Sequence, residues 1–132
     1  MIDTGVLVSA FSFGGTPAKA VKRVFSEADI FVSLELLKEY RDVPLELHKE
    51  GKIDSQQLRA LIAGIATVVS GSTVVVPKRK LAICRDPEDD MLLECCRAAH
   101  ADILITGDKD LLDMRSIPFP LTIMNPARFV AQ

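Results

Sequence analysis

Arg85-Asp86-Pro87-Glu88-Asp89-Asp90 and, further along, Ala101-Asp102-Ile103-Leu104-Ile105-Thr106-Gly107-Asp108-Lys109-Asp110-Leu111-Leu112 are the stretches that decide the fold of this chain. Pro87 suits the first turn of a helix, where its missing N–H costs nothing. From about Glu88 to Ala99, Leu92, Leu93, Cys96 and Ala99 make one apolar stripe. Asp102 to Thr106 then reads as a short β-rich run that Gly107-Asp108 brings to an end. A helix feeding a strand that ends in acids is half of a βαβ unit.

The same alternation continues in both directions. Met1 to Asp3, Asp29 to Val32, Thr73 to Val76 and Leu121 to Met124 are the other expected strands. Pro17 to Ser26 is an expected helix, with Ala20, Val21, Val24 and Phe25 on one face and Lys19, Lys22 and Arg23 on the other. Ser33 caps a helix from Leu34 to about Val43, where Pro44 kinks or ends it. Asp54 or Ser55 caps another running to about Val69. Phe13-Gly14-Gly15-Thr16-Pro17 is the most obvious flexible loop. The expected architecture is a Rossmann-like, three-layer α/β/α domain over residues 1–132, with a central, mostly parallel five-stranded sheet.

Bulk properties narrow the function classes. At 132 residues one domain is expected, and 48% hydrophobic with 26% charged residues is a globular profile. The longest apolar stretch, Leu61 to Val69, falls well short of the roughly 20 residues a membrane helix needs. Met1-Ile2-Asp3 does not resemble a secretory signal, so a cytoplasmic site is expected. Cys84, Cys95 and Cys96 form no C-x-x-C pair and read as small buried hydrophobes. A net charge of −2 gives no global attraction for polyanions, so any nucleic-acid contact must be local. Lys78-Arg79-Lys80 with Arg85, and the Lys19, Lys22 and Arg23 face, are the basic stretches that could guide a phosphate backbone; ordinary solubilising surface explains them equally well.

In open α/β sheets the ligand crevice lies at the carboxyl ends of the strands. Asp3 closes the first strand, and Asp108 and Asp110 follow the fourth. Asp86, Asp89 and Asp90 surround the start of the helix leading into it, while Glu39 lies in the helix after the second strand, one turn beyond Glu35. Gathered carboxylates repel one another, so a protein that collects them commonly neutralises them with a divalent cation. Oxygen-only ligation points to Mg²⁺ or Mn²⁺. His48 and His100 lie in distant segments without the spacing of zinc ligands. Taken singly, each acid is better explained as a turn former or helix cap.

The chain resembles the PIN domain, the nuclease fold found in the toxin half of bacterial and archaeal toxin–antitoxin pairs. The resemblance rests on Ile2-Asp3-Thr4-Gly5-Val6-Leu7-Val8-Ser9-Ala10, Ser33-Leu34-Glu35-Leu36-Leu37-Lys38-Glu39-Tyr40 and the two stretches quoted first, in that order. It implies that Asp3, Glu39, Asp89 and Asp108 are the catalytic, metal-binding acids. Asp89 is preferred over Asp86 and Asp90 by its spacing to Ala101, and Asp110 is an alternative ligand or a neighbour that orients one. Thr106 and Ser9 would help orient a ligand or bind phosphate. The implied activity is metal-dependent hydrolysis of single-stranded RNA, leaving a 5′-phosphate and a 3′-hydroxyl. The implied partners are a cognate antitoxin and a second copy of the chain, as a homodimer.

One position departs from the family pattern: where Asn is common two residues after the first Asp, this chain has Gly5. The competing expectation is therefore a non-catalytic RNA- or protein-binding module. A phosphotransfer or phosphatase domain ranks lower, because Gly5 also stands where aspartyl-phosphatases carry a second Asp and no G-x-x-x-x-G-K-[ST] loop is present.

Overall fold

The computed structural model describes residues 1–132. The chain folds as an α/β domain in the order α1 (Thr4–Phe13), α2 (Gly15–Glu27), β1 (Ile30–Val32), α3 (Leu34–Lys49), α4 (Ser55–Ser70), β2 (Ser72–Val74), α5 (Pro87–Ala99), β3 (Ile103–Ile105), α6 (Lys109–Leu112), β4 (Thr122–Met124) and α7 (Pro126–Val130). All strand pairing is parallel: β1 with β2, β3 with β4, and Ile2 in a single bridge with Ile105.

The five expected strand segments are all close to their expected places, but they do not form one hydrogen-bonded sheet. Met1 and Asp3 turn their backbone groups toward β3, with Ile105 N–H donating to Met1 O and Asp3 N–H to Ile105 O, each at 3.0 Å. Strand alternation then points the polar groups of Ile2 the other way. There the Ile2 carbonyl accepts the Tyr40 hydroxyl at 2.5 Å, and no backbone hydrogen bond joins Met1–Asp3 to β1. The expected five-stranded sheet is thus divided into two two-stranded ladders, with the first segment attached to the second.

Helix ends follow local chemistry. Ser33 Oγ accepts from Leu36 N–H at the start of α3, and Asp54 with Gln57 completes a reciprocal capping box at the start of α4. Asp86, not Asp89, caps α5, accepting from Glu88 N–H with Pro87 in the first turn. Pro44 does not end α3: it is buried inside a helix that continues to Lys49. Beyond it Leu47 is half-buried against the core, while Leu45, Glu46, His48 and Lys49 are exposed.

One helix falls in a stretch that the sequence left unassigned, and one expectation is corrected. Thr4–Phe13 is a helix although it carries no amphipathic stripe, because it is covered by α2 on one side and α4 on another and is apolar nearly all round. The expected loop at Phe13-Gly14-Gly15-Thr16-Pro17 is a tight joint between α1 and α2, made by Gly14 and Gly15 at φ +78° and +69°. The short helices α6 and α7 carry too few residues to show a period.

The core gathers Ile2, Leu7, Leu36, Tyr40, Leu61, Leu93 and Leu104, all nearly solvent-free. Phe11 packs its ring onto Gly64 of α4, while Phe13 is exposed. A Cβ at Gly64 would overlap that ring. Gly64→Ala is expected to destabilise by about 1–3 kcal/mol in urea melts, the overpacking penalty outweighing the gain of about 1 kcal/mol in helix propensity. An unchanged or higher midpoint would mean that Phe11 moves aside freely.

Cys95 and Cys96 are buried, and Cys84 is half-buried. Burial pushes their thiols up to about 11, 12 and 12 respectively, so they are inert as nucleophiles at neutral pH. No helix is long and apolar enough to cross a membrane.

Candidate active site

Asp3 ends the first strand segment and precedes α1, so its carboxylate sits where a helix amino terminus favours negative charge. Thr106, fully buried after β3, donates its hydroxyl to Asp3 Oδ2 at 2.6 Å. The same Thr106 oxygen accepts the Asp108 N–H at 3.1 Å. One threonine thereby ties the acid of the first segment to the acid after β3. Asp108 caps α6, its Oδ1 accepting from Asp110 N–H at 2.9 Å.

Asp89 reaches this group from the first turn of α5. Carboxylate oxygens of Asp89, Asp108 and Asp110 all lie within 4.8 Å of one another, with Asp89 and Asp108 half-buried and Asp110 exposed. The three aspartates at the start of α5 differ in what each touches. Asp86 caps the helix, Asp90 turns inward to accept from Ile83 and Cys84 N–H, and Asp89 faces the other acids.

Glu39 approaches from α3. Burial, followed by the charges of Asp3, Glu88, Asp89 and Asp86, pushes its carboxyl up to about 7. Asp89 is pushed up to about 6, by burial first and then by Asp108 and Asp86. Burial also raises Asp3 above the ordinary 3.8, against the lowering effect of the Thr106 hydrogen bond. Asp3, Glu39, Asp89 and Asp108 thus come from four separate segments and feel one another's charge. Glu88 and Asp86 add to that field, which their sequence position alone did not reveal. Glu35 is exposed and lines a different groove, beside Lys78 to Lys80.

No cation neutralises the group. The ion pairs within 4.0 Å are Arg23–Glu27, Arg41–Asp42 and Lys52–Glu50, all elsewhere. His48 lies near Ser55 and His100 ends α5, so neither adds nitrogen to the cluster. A convergent, oxygen-only, uncompensated donor set fits a hard divalent cation. Gly5 is exposed, and a Cβ there would meet nothing within 4 Å, so no close packing demands glycine beside Asp3.

The raised Glu39 pKa has a testable sign. Between its ordinary 4.5 and about 7, the folded protein holds a proton that the unfolded chain has lost, so metal-free stability falls as pH rises through that window. Glu39→Gln removes this penalty. In chelator, its Tm advantage over the wild type is expected to be small at pH 5 and to grow to several degrees at pH 8. Because Glu39 is half-exposed, screening reduces the effect to about 1 kcal/mol. A pH-independent difference would mean that Glu39 titrates normally.

Comparison with known proteins identifies the family. A family model described as PIN domain matches residues 1–110, a span that contains every acid of the cluster. The uncharacterized protein MJ1680 of Methanocaldococcus jannaschii is 31% identical over 119 residues, covering 87% of this chain and 74% of that relative. No solved structure gives a significant match.

Proposed function

Because the chain belongs to the PIN-domain family, whose members are generally nucleases, we propose that it is a metal-dependent endoribonuclease acting on single-stranded RNA. The observation that carries this reading is the group of Asp89, Asp108 and Asp110, whose carboxylate oxygens lie within 4.8 Å of one another. Asp3 is tied to it through Thr106, Glu39 feels the charge of Asp3 and Asp89, and no Lys or Arg is paired with it within 4.0 Å. Asp3, Glu39, Asp89 and Asp108, with Asp110 beside them, would hold Mg²⁺ or Mn²⁺. A bound cation there would supply Lewis-acid stabilisation of the charge that develops on the attacking and leaving oxygens.

The chain's own residues prepare that site. Thr106 fixes the orientation of Asp3 and, through the Asp108 N–H, the position of the turn that carries Asp108 and Asp110. The amino ends of α1 and α5 lower the cost of holding negative charge at Asp3 and Asp89. In the net reaction water adds to phosphorus as the bond to the 3′-oxygen breaks, leaving a 5′-phosphate and a 3′-hydroxyl. The same reading makes the chain the toxin of a toxin–antitoxin pair, restrained by a cognate antitoxin and paired as a homodimer.

The direct test is incubation of the purified chain with a mixed panel of labelled single-stranded RNAs in Mg²⁺ or Mn²⁺, with EDTA controls and end-group analysis. Cleavage that needs metal and leaves 5′-phosphates supports the reading. Gly5, which has no side-chain amide to add to its own backbone N–H beside Asp3, favours a second reading: an RNA- or protein-binding module on the same fold. RNA binding with no turnover in either metal would establish that alternative instead.

A further inference from the structure

Asp90, Glu94 and Arg97 stand at i, i+4 and i+7 on α5 and therefore share one helix face. All three bond the backbone of the segment that joins β2 to α5. Asp90 Oδ1 accepts from Ile83 N–H at 3.0 Å and Cys84 N–H at 2.9 Å, and Glu94 Oε2 accepts from Leu81 N–H at 2.8 Å. Arg97 Nη2 donates to the Arg79 carbonyl at 2.7 Å. As the contacts advance along α5 from 90 to 97, they step back along the segment from Cys84 to Arg79. The segment is thus a strap laid antiparallel on the helix, with backbone bonds directed inward.

The side chains left outside are basic. Lys78, Arg79, Lys80 and Arg85 are exposed, and none lies within 4.0 Å of a carboxylate. Although the chain carries a net charge of −2, no acidic residue occurs between Asp54 and Asp86. At one end of the strap, Lys78, Arg79 and Lys80 line a groove with Leu34 and Val76, which are 64% and 71% exposed, and with Glu35 and Glu94, neither of which pairs with these cations within 4.0 Å. At the other end, Arg85 lines a cleft of about 260 Å³ together with Asp89 and Asp110. Three cations against two carboxylates leave the first end of the strap net positive, and the strap runs from it to Arg85 beside the carboxylate cluster.

We propose that this strap, Lys78 to Arg85, is the track on which the phosphates of a single-stranded RNA are led to the acid cluster; the proposal rests on the nuclease reading above. Charge complementarity selects the occupant. Phosphates flanking the scissile bond meet the cations of the strap, while the exposed apolar surface of Val76 and Leu34 suits the faces of unpaired bases. The three backbone anchors from α5 hold the cations in place before RNA arrives, which limits the ordering cost of binding.

The test is fluorescence anisotropy of a 5′-labelled single-stranded RNA dodecamer in Mg²⁺, on an Asp108→Asn background that blocks cleavage, across a range of KCl concentrations. Adding Lys78→Gln, Arg79→Gln and Lys80→Gln together is expected to weaken binding at least tenfold near 0.1 M salt. It is also expected to flatten the log Kd against log salt slope by about 2, from roughly 0.7 per lost phosphate contact on a single strand. Lys19→Gln with Lys22→Gln, on α2, is the control and leaves both quantities unchanged. Equal affinity and slope in the strap variant, with the Asp108→Asn protein still binding, would overturn the track and leave the nuclease reading standing. No RNA binding by the Asp108→Asn protein together with no cleavage by the wild type would overturn both. Displacement of the RNA by polyglutamate as efficiently as by unlabelled RNA would reassign the strap to an acidic protein partner.

Discussion

Asp108→Asn is expected to lower metal-dependent RNA cleavage by at least 100-fold while leaving the fold intact. Asp108 sits at the centre of the cluster: its carboxylate oxygen is within 4.8 Å of those of Asp89 and Asp110, and its N–H is fixed by Thr106. Loss of a residue that merely supports a ligand commonly costs about 10–100-fold, and loss of a ligand carboxylate should cost more. The asparagine oxygen can still accept the Asp110 N–H, so the start of α6 survives and the loss reports chemistry rather than unfolding. A readout independent of activity comes from metal-induced stabilisation. Wild-type Tm should rise as Mn²⁺ is added, in proportion to the logarithm of metal over Kd, and that rise should be largely lost in Asp108→Asn. Asp3→Asn should behave similarly, because Asp3 is the acid that Thr106 orients. Full cleavage and an undiminished Mn²⁺ shift in both variants would remove these residues from the site.

The largest stability effect among the acids is expected at Asp90, which the cluster does not use. Its side chain is 7% exposed and accepts two backbone N–H groups of the strap. Asp90→Ala leaves both donors without their partner and should cost about 2–4 kcal/mol, or roughly 10 °C in Tm. Asp90→Asn retains an acceptor oxygen and should cost less. The pH dependence has the opposite sign to that of Glu39. Burial raises the Asp90 carboxyl, but the Ile83 and Cys84 donors outweigh it and hold the pKa below the ordinary 3.8. Its contribution is therefore complete above about pH 4 and is lost only as pH falls through the lowered value. The gap between wild type and Asp90→Ala should be constant from pH 8 to 5 and narrow below 4. A cost under about 0.5 kcal/mol at neutral pH would show that the strap does not depend on this anchor.

Much of the fold is legible locally. A helix announces itself through caps and stripes a few residues apart, which is why Ser33, Asp54 and Pro87 mark the starts of α3, α4 and α5 closely. The strand segments are marked by short β-branched runs between turn residues. Thr4–Phe13 is not marked, because a helix covered by neighbours on more than one side needs no polar face and loses the periodic signal. Pro44 reads as a helix stop, yet α3 continues through it to Lys49.

The acids divide along the same physical line. Their residue type and their places at strand ends and helix starts are properties of the sequence, and so is the order of motifs that places the chain in its family. Which acids meet is not. Asp86, Asp89 and Asp90 lie within a turn and a half of chain, yet each helical step of about 100° sends a side chain in a new direction, to a cap, to the cluster or to the strap. Local chemistry cannot choose among those directions. The packing of α5 against β1 and α3 orients the helix, and that orientation sends Asp89 toward Asp108 and Asp90 into the strap. The break between β1 and the first strand segment is likewise tertiary: on that side the Ile2 carbonyl accepts a Tyr40 hydroxyl from α3 and no backbone N–H of β1.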